Sequence, residues 1–182
     1  MMLSPVNAET PNENECLLEC LLAQLAVPDH QQLHFAETRE STLLAAPLEI
    51  TGVLYRDDQG RLIRETHGPR EETQILAADH VEVRRPTGYR QRFSLRRAPE
   101  LAALRQALGA ILDGDVSALT EHFEYTLELD DAAWTLTLVP VDPNLAERVA
   151  SLHLHGPTGA LAGLRLTTAD GETIETRFLP EP

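Results

Sequence analysis

The chain has 182 residues, 42% of them apolar and 4% aromatic, with 29 acidic against 15 basic side chains and a formal net charge of -14. That length suits a single all-β domain, and the sequence contains no apolar run near the roughly 18 residues of a membrane-spanning helix. A field of this sign repels nucleic acid and anionic surfaces at long range, which excludes a nucleic-acid partner.

In chain order, the first ten residues lack the basic and apolar regions of an export signal. They are expected to be a disordered leader, with a single folded domain over residues 11–182. Thr10, Pro11 and Glu13 match a capping box with proline at the first helical position, which predicts a helix from about Pro11 to Ala26. Its apolar stripe is Leu18, Leu21, Leu22 and Leu25, and Pro28 ends it. Cys16 and Cys20 fall one turn apart on that helix with nearly parallel Cα–Cβ vectors, so both are expected to be free thiols.

Strands are predicted at Leu33–Glu40, Leu48–Arg56, Arg61–His67, Gln74–Arg84 and Tyr89–Arg96, separated by turn residues such as Asp57-Asp58-Gln59-Gly60 and Pro86-Thr87-Gly88. A helix then starts near Pro99 and carries Leu101, Leu104, Leu108, Ile111 and Leu112 on one stripe up to Gly114, and Asp115 can cap a shorter helix to Phe123. Further strands are expected at Tyr125–Asp130, Ala133–Val139, Arg148–His155, Leu161–Thr168 and Glu172–Leu179. Asp142-Pro143-Asn144 and Ala169-Asp170-Gly171 read as turns among them. Trp134, Leu136 and Leu138 share one face of their strand. About ten antiparallel strands and two or three helices make the chain mainly β, of the α+β class.

Two stretches carry a resemblance. One runs from Gly52-Val53-Leu54-Tyr55 through Leu62-Ile63-Arg64 to Pro69. The other runs from Trp134-Thr135-Leu136-Thr137-Leu138-Val139-Pro140 through Leu152, Leu161-Ala162-Gly163-Leu164 and Asp170-Gly171-Glu172-Thr173 to Phe178. In these and in its order of helix, strands, helices and strands, the chain resembles the LolA family of periplasmic lipoprotein carriers. The resemblance implies an incomplete antiparallel β-barrel with a helical lid, and an apolar cavity for acyl chains of a lipoprotein or another outer-membrane lipid. It also implies a periplasmic address reached by a signal peptide that this sequence does not show. The implied partners are an inner-membrane exporter and an outer-membrane acceptor, the protein itself being a monomer. The lining expected on this basis is Phe35, Leu54, Phe93, Tyr125, Leu127, Leu129, Trp134, Leu136, Leu138, Leu152, Leu164, Leu166 and Phe178. The lid residues are Leu18, Leu21, Leu22, Leu25, Leu104, Leu108 and Ile111. An ordinary core has the same alternating pattern, so the residues alone leave both readings open.

In the family an arginine in the turn after the Gly-starting strand holds the lid. Here Gln59 occupies the aligned position, and Arg61 is the substitute gate. Arg84, Arg85, Arg90, Arg92, Arg96 and Arg97 form a basic stretch that is either a solvated strand face or a dock for an anionic headgroup or acidic partner. His153 and His155 share a strand face but have no cysteine or carboxylate at metal-ligand spacing, and no cofactor is implied. G-x-S-x-G, H-E-x-x-H, P-loop and C-x-x-C motifs are all missing, and Asp130-Asp131 reads as a hairpin turn. The expected function is therefore a non-enzymatic carrier. The alternative is a LolA-like module that senses lipid and acts through a protein partner.

Overall fold

Period-two alternation broken by turn residues gives, among the described residues, eleven strands of one antiparallel sheet. The computed structural model describes residues 13–40, 45–68 and 71–179. Their elements are α1 (Glu13–Leu25), β1 (Leu33–Glu40), β2 (Leu48–Arg56), β3 (Leu62–His67), β4 (Glu72–Leu76), β5 (His80–Arg84), β6 (Arg90–Ser94) and a 3-10 turn (Leu95–Arg97). These are followed by α2 (Pro99–Asp113), α3 (Val116–His122), β7 (Phe123–Leu129), β8 (Ala133–Pro140), α4 (Pro143–Ala146), β9 (Val149–Pro157), β10 (Gly163–Thr168) and β11 (Thr173–Leu179). The sheet order is β6-β5-β4-β3-β2-β1-β11-β10-β9-β8-β7. Two meanders therefore meet at the β1–β11 seam, where Phe35 opposes Phe178 and Glu37 opposes Thr176. The 3-10 turn, α2 and α3 carry the chain from one outer strand, β6, to the other, β7, so the sheet stays open along those edges.

The expected mainly-β half-barrel under a few helices is the observed fold, with local corrections. The single strand expected over Gln74–Arg84 is two strands, because Ala77 N donates to His80 O at 2.9 Å and turns the chain at Ala78-Asp79. The strand expected to reach Arg96 stops at Ser94, whose hydroxyl accepts from Arg96 N and caps the 3-10 turn. Asp142-Pro143-Asn144 opens a one-turn helix, since the Asp142 carboxylate accepts from Asn144 N at 2.9 Å with proline just inside. Thr10 and Pro11 of the expected capping box lie outside the described residues.

The two central helices begin and end as their residues dictate. Asp115 caps α3 by accepting from Ala118 N at 2.9 Å, and Gly114, at φ 69°, closes α2 in the left-handed region that glycine enters without strain. One hydrophobic cluster joins the helices to the sheet. Leu18 and Leu22 of α1, Leu108 and Ile111 of α2 and Leu119 of α3 pack in it with Leu136, Leu138, Leu152 and Leu154. Each such side chain, taken fully out of water, contributes about 1.5–3 kcal/mol before its entropy cost.

Candidate functional site

Along the covered face, the cross-strand ladder Leu127, Leu136, Leu154, Leu164, Thr176, Glu37 runs from β7 to β1. It changes from leucine to polar residues as it reaches the seam. On the C-terminal meander Trp134, Leu136, Leu138, Leu152, Leu164 and Leu166 are all buried. Trp134 is satisfied within this apolar wall because its Nε1 donates to Pro157 O at 3.0 Å and to Ala160 O at 3.2 Å.

The N-terminal meander mixes Phe35, Leu54, Leu62 and Leu76 with buried polar groups. Arg64 donates to Glu37 at 2.8 Å and to Gln74 at 3.2 Å, Arg39 donates to Glu37 at 2.8 Å, and the Arg64 guanidinium stacks 4.9 Å from the Phe35 ring centroid. Burial pulls the Arg64 guanidinium below the usual arginine value, and the Glu37 carboxylate opposes that pull. At Gly52 an added Cβ would come within 2.0 Å of the Glu65 carbonyl oxygen on β3 and within 2.8 Å of Phe35 Cζ. This close approach accounts for glycine at the position.

A polar clasp fastens the helices to the sheet. Arg56, at the end of β2, donates to Val27 O just beyond α1 and pairs with Asp113 at the end of α2 and, at 3.2 Å, with Asp29. Val27 N donates to Leu112 O at 3.0 Å, and His30 N donates to Arg56 O at 2.9 Å, so α1, α2 and β2 are tied at one point. Arg61, the expected gate, instead pairs with Asp57 inside its own turn, at 2.6 Å. Burial alone would raise the Asp57 carboxyl, yet the Arg61 side chain and the Arg61 and Gln59 amides hold it below the usual carboxylate range.

Of the expected lining, Phe35, Leu54, Trp134, Leu136, Leu138, Leu152, Leu164 and Leu166 lie inside the cluster. Phe93, Tyr125, Leu127 and Phe178 are half-buried against it, and Leu129 is 48% exposed at the outer edge. Leu18, Leu21, Leu22, Leu25, Leu108 and Ile111 face the sheet in the same cluster, with Leu104 half-buried beside them. These leucines pack with the sheet residues in one buried cluster, so the lid stands closed on its own side chains. Open volume lies beside it, as a cleft of about 960 Å³ between β5, β6, α2 and α4. Among the described residues no group of three or more His, Cys, Asp or Glu side chains could hold a metal. His153 and His155 are exposed, with Thr137 Oγ1 at 3.0 Å from His153 Nδ1. Cys16 and Cys20 are free and exposed. Sequence reasoning missed the Arg64–Glu37–Gln74 network, and it placed Arg56 only at the end of a predicted strand.

An open antiparallel half-barrel with a helical lid is the architecture these residues define. Over residues 13–178 the chain matches the profile of the family described as outer membrane lipoprotein carrier protein LolA-like, and it belongs to that family. Among solved structures it is similar to a DUF1329 family protein from Desulfovibrio piger, at 9% identity, with 92% of this chain and 90% of that one covered and a TM-score of 0.50. It is similar to a LolA superfamily protein from Nitrosomonas europaea at 13% identity, with 91% of each chain covered and a TM-score of 0.47. The MucA/MucB complex of Pseudomonas aeruginosa matches at 13% identity, with 92% of this chain and 56% of that one covered and a TM-score of 0.41. No curated protein matches the chain. Among the described residues no helix is long and apolar enough to cross a membrane.

Proposed function

We propose that this protein is a periplasmic carrier that takes up the acyl chains of a lipoprotein or another outer-membrane lipid and passes them between membranes. The observation that carries the reading is a leucine-lined sheet face covered by helices, two of which, α1 and α2, are tied to β2 by a polar clasp around Arg56. Each methylene removed from water gains roughly 0.8 kcal/mol, so a myristoyl-length chain gains on the order of 10 kcal/mol. A gain of that size can displace the lid leucines from the sheet once the clasp lets go, and the guest then repacks the wall that they leave. Cavity residues on β8, β9 and β10 receive the chain, and α1 and α2 move as the lid.

The test is transfer of a fluorescent monoacylglycerol from donor to acceptor vesicles. The wild-type protein is expected to accelerate transfer, and Arg56→Ala, which frees Val27, Asp29 and Asp113 together, is expected to speed uptake further. Transfer no faster than in protein-free buffer, for both proteins, overturns the carrier. Uptake without onward transfer, together with a stable complex with a protein partner, would favour the sensing module instead.

A further inference from the structure

Four arginines of the basic stretch fall into two sets in the fold. Arg84 pairs with Glu82 at 2.6 Å, and Arg85 pairs with Glu72 at 3.2 Å while stacking on Tyr89. Those cations are neutralised. Arg92 and Arg96 instead line the 960 Å³ cleft, where Arg105 of α2 joins them from the facing wall. Among the described residues none of these three has a carboxylate within salt-bridge distance. The two acids of the same lining are already engaged: Asp79 lies 2.6 Å from His80 Nδ1, and Asp142 accepts from the Asn144 amide and side chain to cap α4. Arg92 Nη2 sits 3.1 Å from that same His80 nitrogen, so the histidine bridges the Arg92 and Asp79 sides of the cleft.

We propose that this cleft is a binding site for a phosphate ester, its anion held by Arg92, Arg96 and Arg105 and its attached body resting on Phe93, Leu95 and Leu145. Three arginines lining one cleft suit an oxyanion with several acceptor oxygens, since each planar fork donates two parallel hydrogen bonds. The volume is at the upper end of the range for small-molecule sites and far exceeds a bare phosphate, which leaves room for an ester substituent. Half-burial holds the Arg105 guanidinium below its usual value, and no neighbouring anion offsets that penalty, so a bound phosphate would relieve it. Gln106, in the same wall, has its Oε1 buried with no hydrogen-bond partner among the described residues, an acceptor that a hydroxyl of the ester would satisfy. The adjoining groove, which shares Arg96 and Pro99, sets Arg97 and Arg148 against Glu100, Glu147 and Asp170 and has no such excess of cations. Because the chain carries a net -14, anions are attracted only where this local cluster outweighs the overall field.

Isothermal titration at low salt with glycerol 3-phosphate, monomeric dihexanoyl phosphatidylglycerol and neutral dihexanoylglycerol tests the site. Both phosphate esters, or the lipid alone, are expected to bind, with affinity falling as salt is added. Arg92→Gln/Arg96→Gln, whose two side chains are exposed and leave the core untouched, is expected to weaken binding about tenfold or more, and Arg105→Gln is expected to do the same. Equal affinity for the two esters identifies a water-soluble phosphate, and tighter binding of the lipid identifies a headgroup. The proposal is overturned if neither ester binds, if the neutral lipid binds as tightly as the phospholipid, or if the double variant binds as the wild type does. Monoacylglycerol transfer by the same variants reports acyl capture separately. Loss of phosphate binding with transfer intact, or the reverse, tells which of the two readings has failed.

Discussion

The two meanders share one sheet yet present opposite chemistry to the helices. From β7 to β10 the covered face is leucine and tryptophan, a surface that a flexible hydrocarbon can replace contact for contact. From β1 to β4 the same face holds Arg64, Glu37 and Gln74 around Phe35, and hydrogen-bond geometry fixes that cluster in one arrangement. The contrast teaches that apolar packing holds one half and a specific polar network the other, and the two respond differently to substitution because dispersion tolerates a change of partner while a buried ion pair does not.

The sharpest break in this comparison is Glu37→Ala. It leaves the Arg64 guanidinium buried without its carboxylate and is expected to cost about 3–5 kcal/mol in urea denaturation. Replacing Glu37 and Arg64 together with leucine should cost much less than that. A double variant as unstable as the single one would mean that the network does more than satisfy itself. On the other half, Leu154→Ala empties part of a fully buried site and is expected to cost about 2–5 kcal/mol, with the fold retained. An acyl ligand should recover part of that loss, and no recovery would count against a repackable wall. Gly52→Ala drives a methyl group against the Glu65 carbonyl of β3 as well as the Phe35 ring, at an expected cost of about 3 kcal/mol, read from the same denaturation curves.

The smallest effect concerns pH. Asp57 has a lowered folded-state pKa, so its contribution is complete above the ordinary carboxylate range and disappears as pH falls through the folded value. Because Arg61 is partly exposed, the loss is expected to stay below about 1 kcal/mol. Asp57→Asn should abolish that component of the acid dependence, and an unchanged acid profile would remove Asp57 as its source.

Much of this organisation was legible in the residues. Leu33–Glu40 and Leu48–Arg56 are strands with the expected bounds, because alternation and flanking turn residues agree there. Gln74–Arg84 was unreadable as a hairpin: Ala77-Ala78-Asp79 carries no glycine or proline, and only the pairing of Leu76 with Val81 reveals the turn. Glu37 and Arg64 look like ordinary strand polar residues, since the 27 positions between them hide their contact. Alternation could have hinted at it, because Glu37 follows Phe35, and Arg64 follows Leu62, on the inward face. Arg61 follows from its place in the turn, but the arginine that contacts two helix ends in space is Arg56, a property that no local spacing encodes.

The seam between first and last strands carries a kinetic consequence. Thr176 donates to Glu37 across 139 positions of sequence, the longest loop that a side-chain hydrogen bond closes among the described residues. Each meander can assemble from its own hairpins soon after it is synthesised, but the join between them must wait until β11 has followed β1 at that separation. Until then both inner strands stand unzipped with bare backbone edges, the stage at which this molecule most needs protection from pairing with another chain.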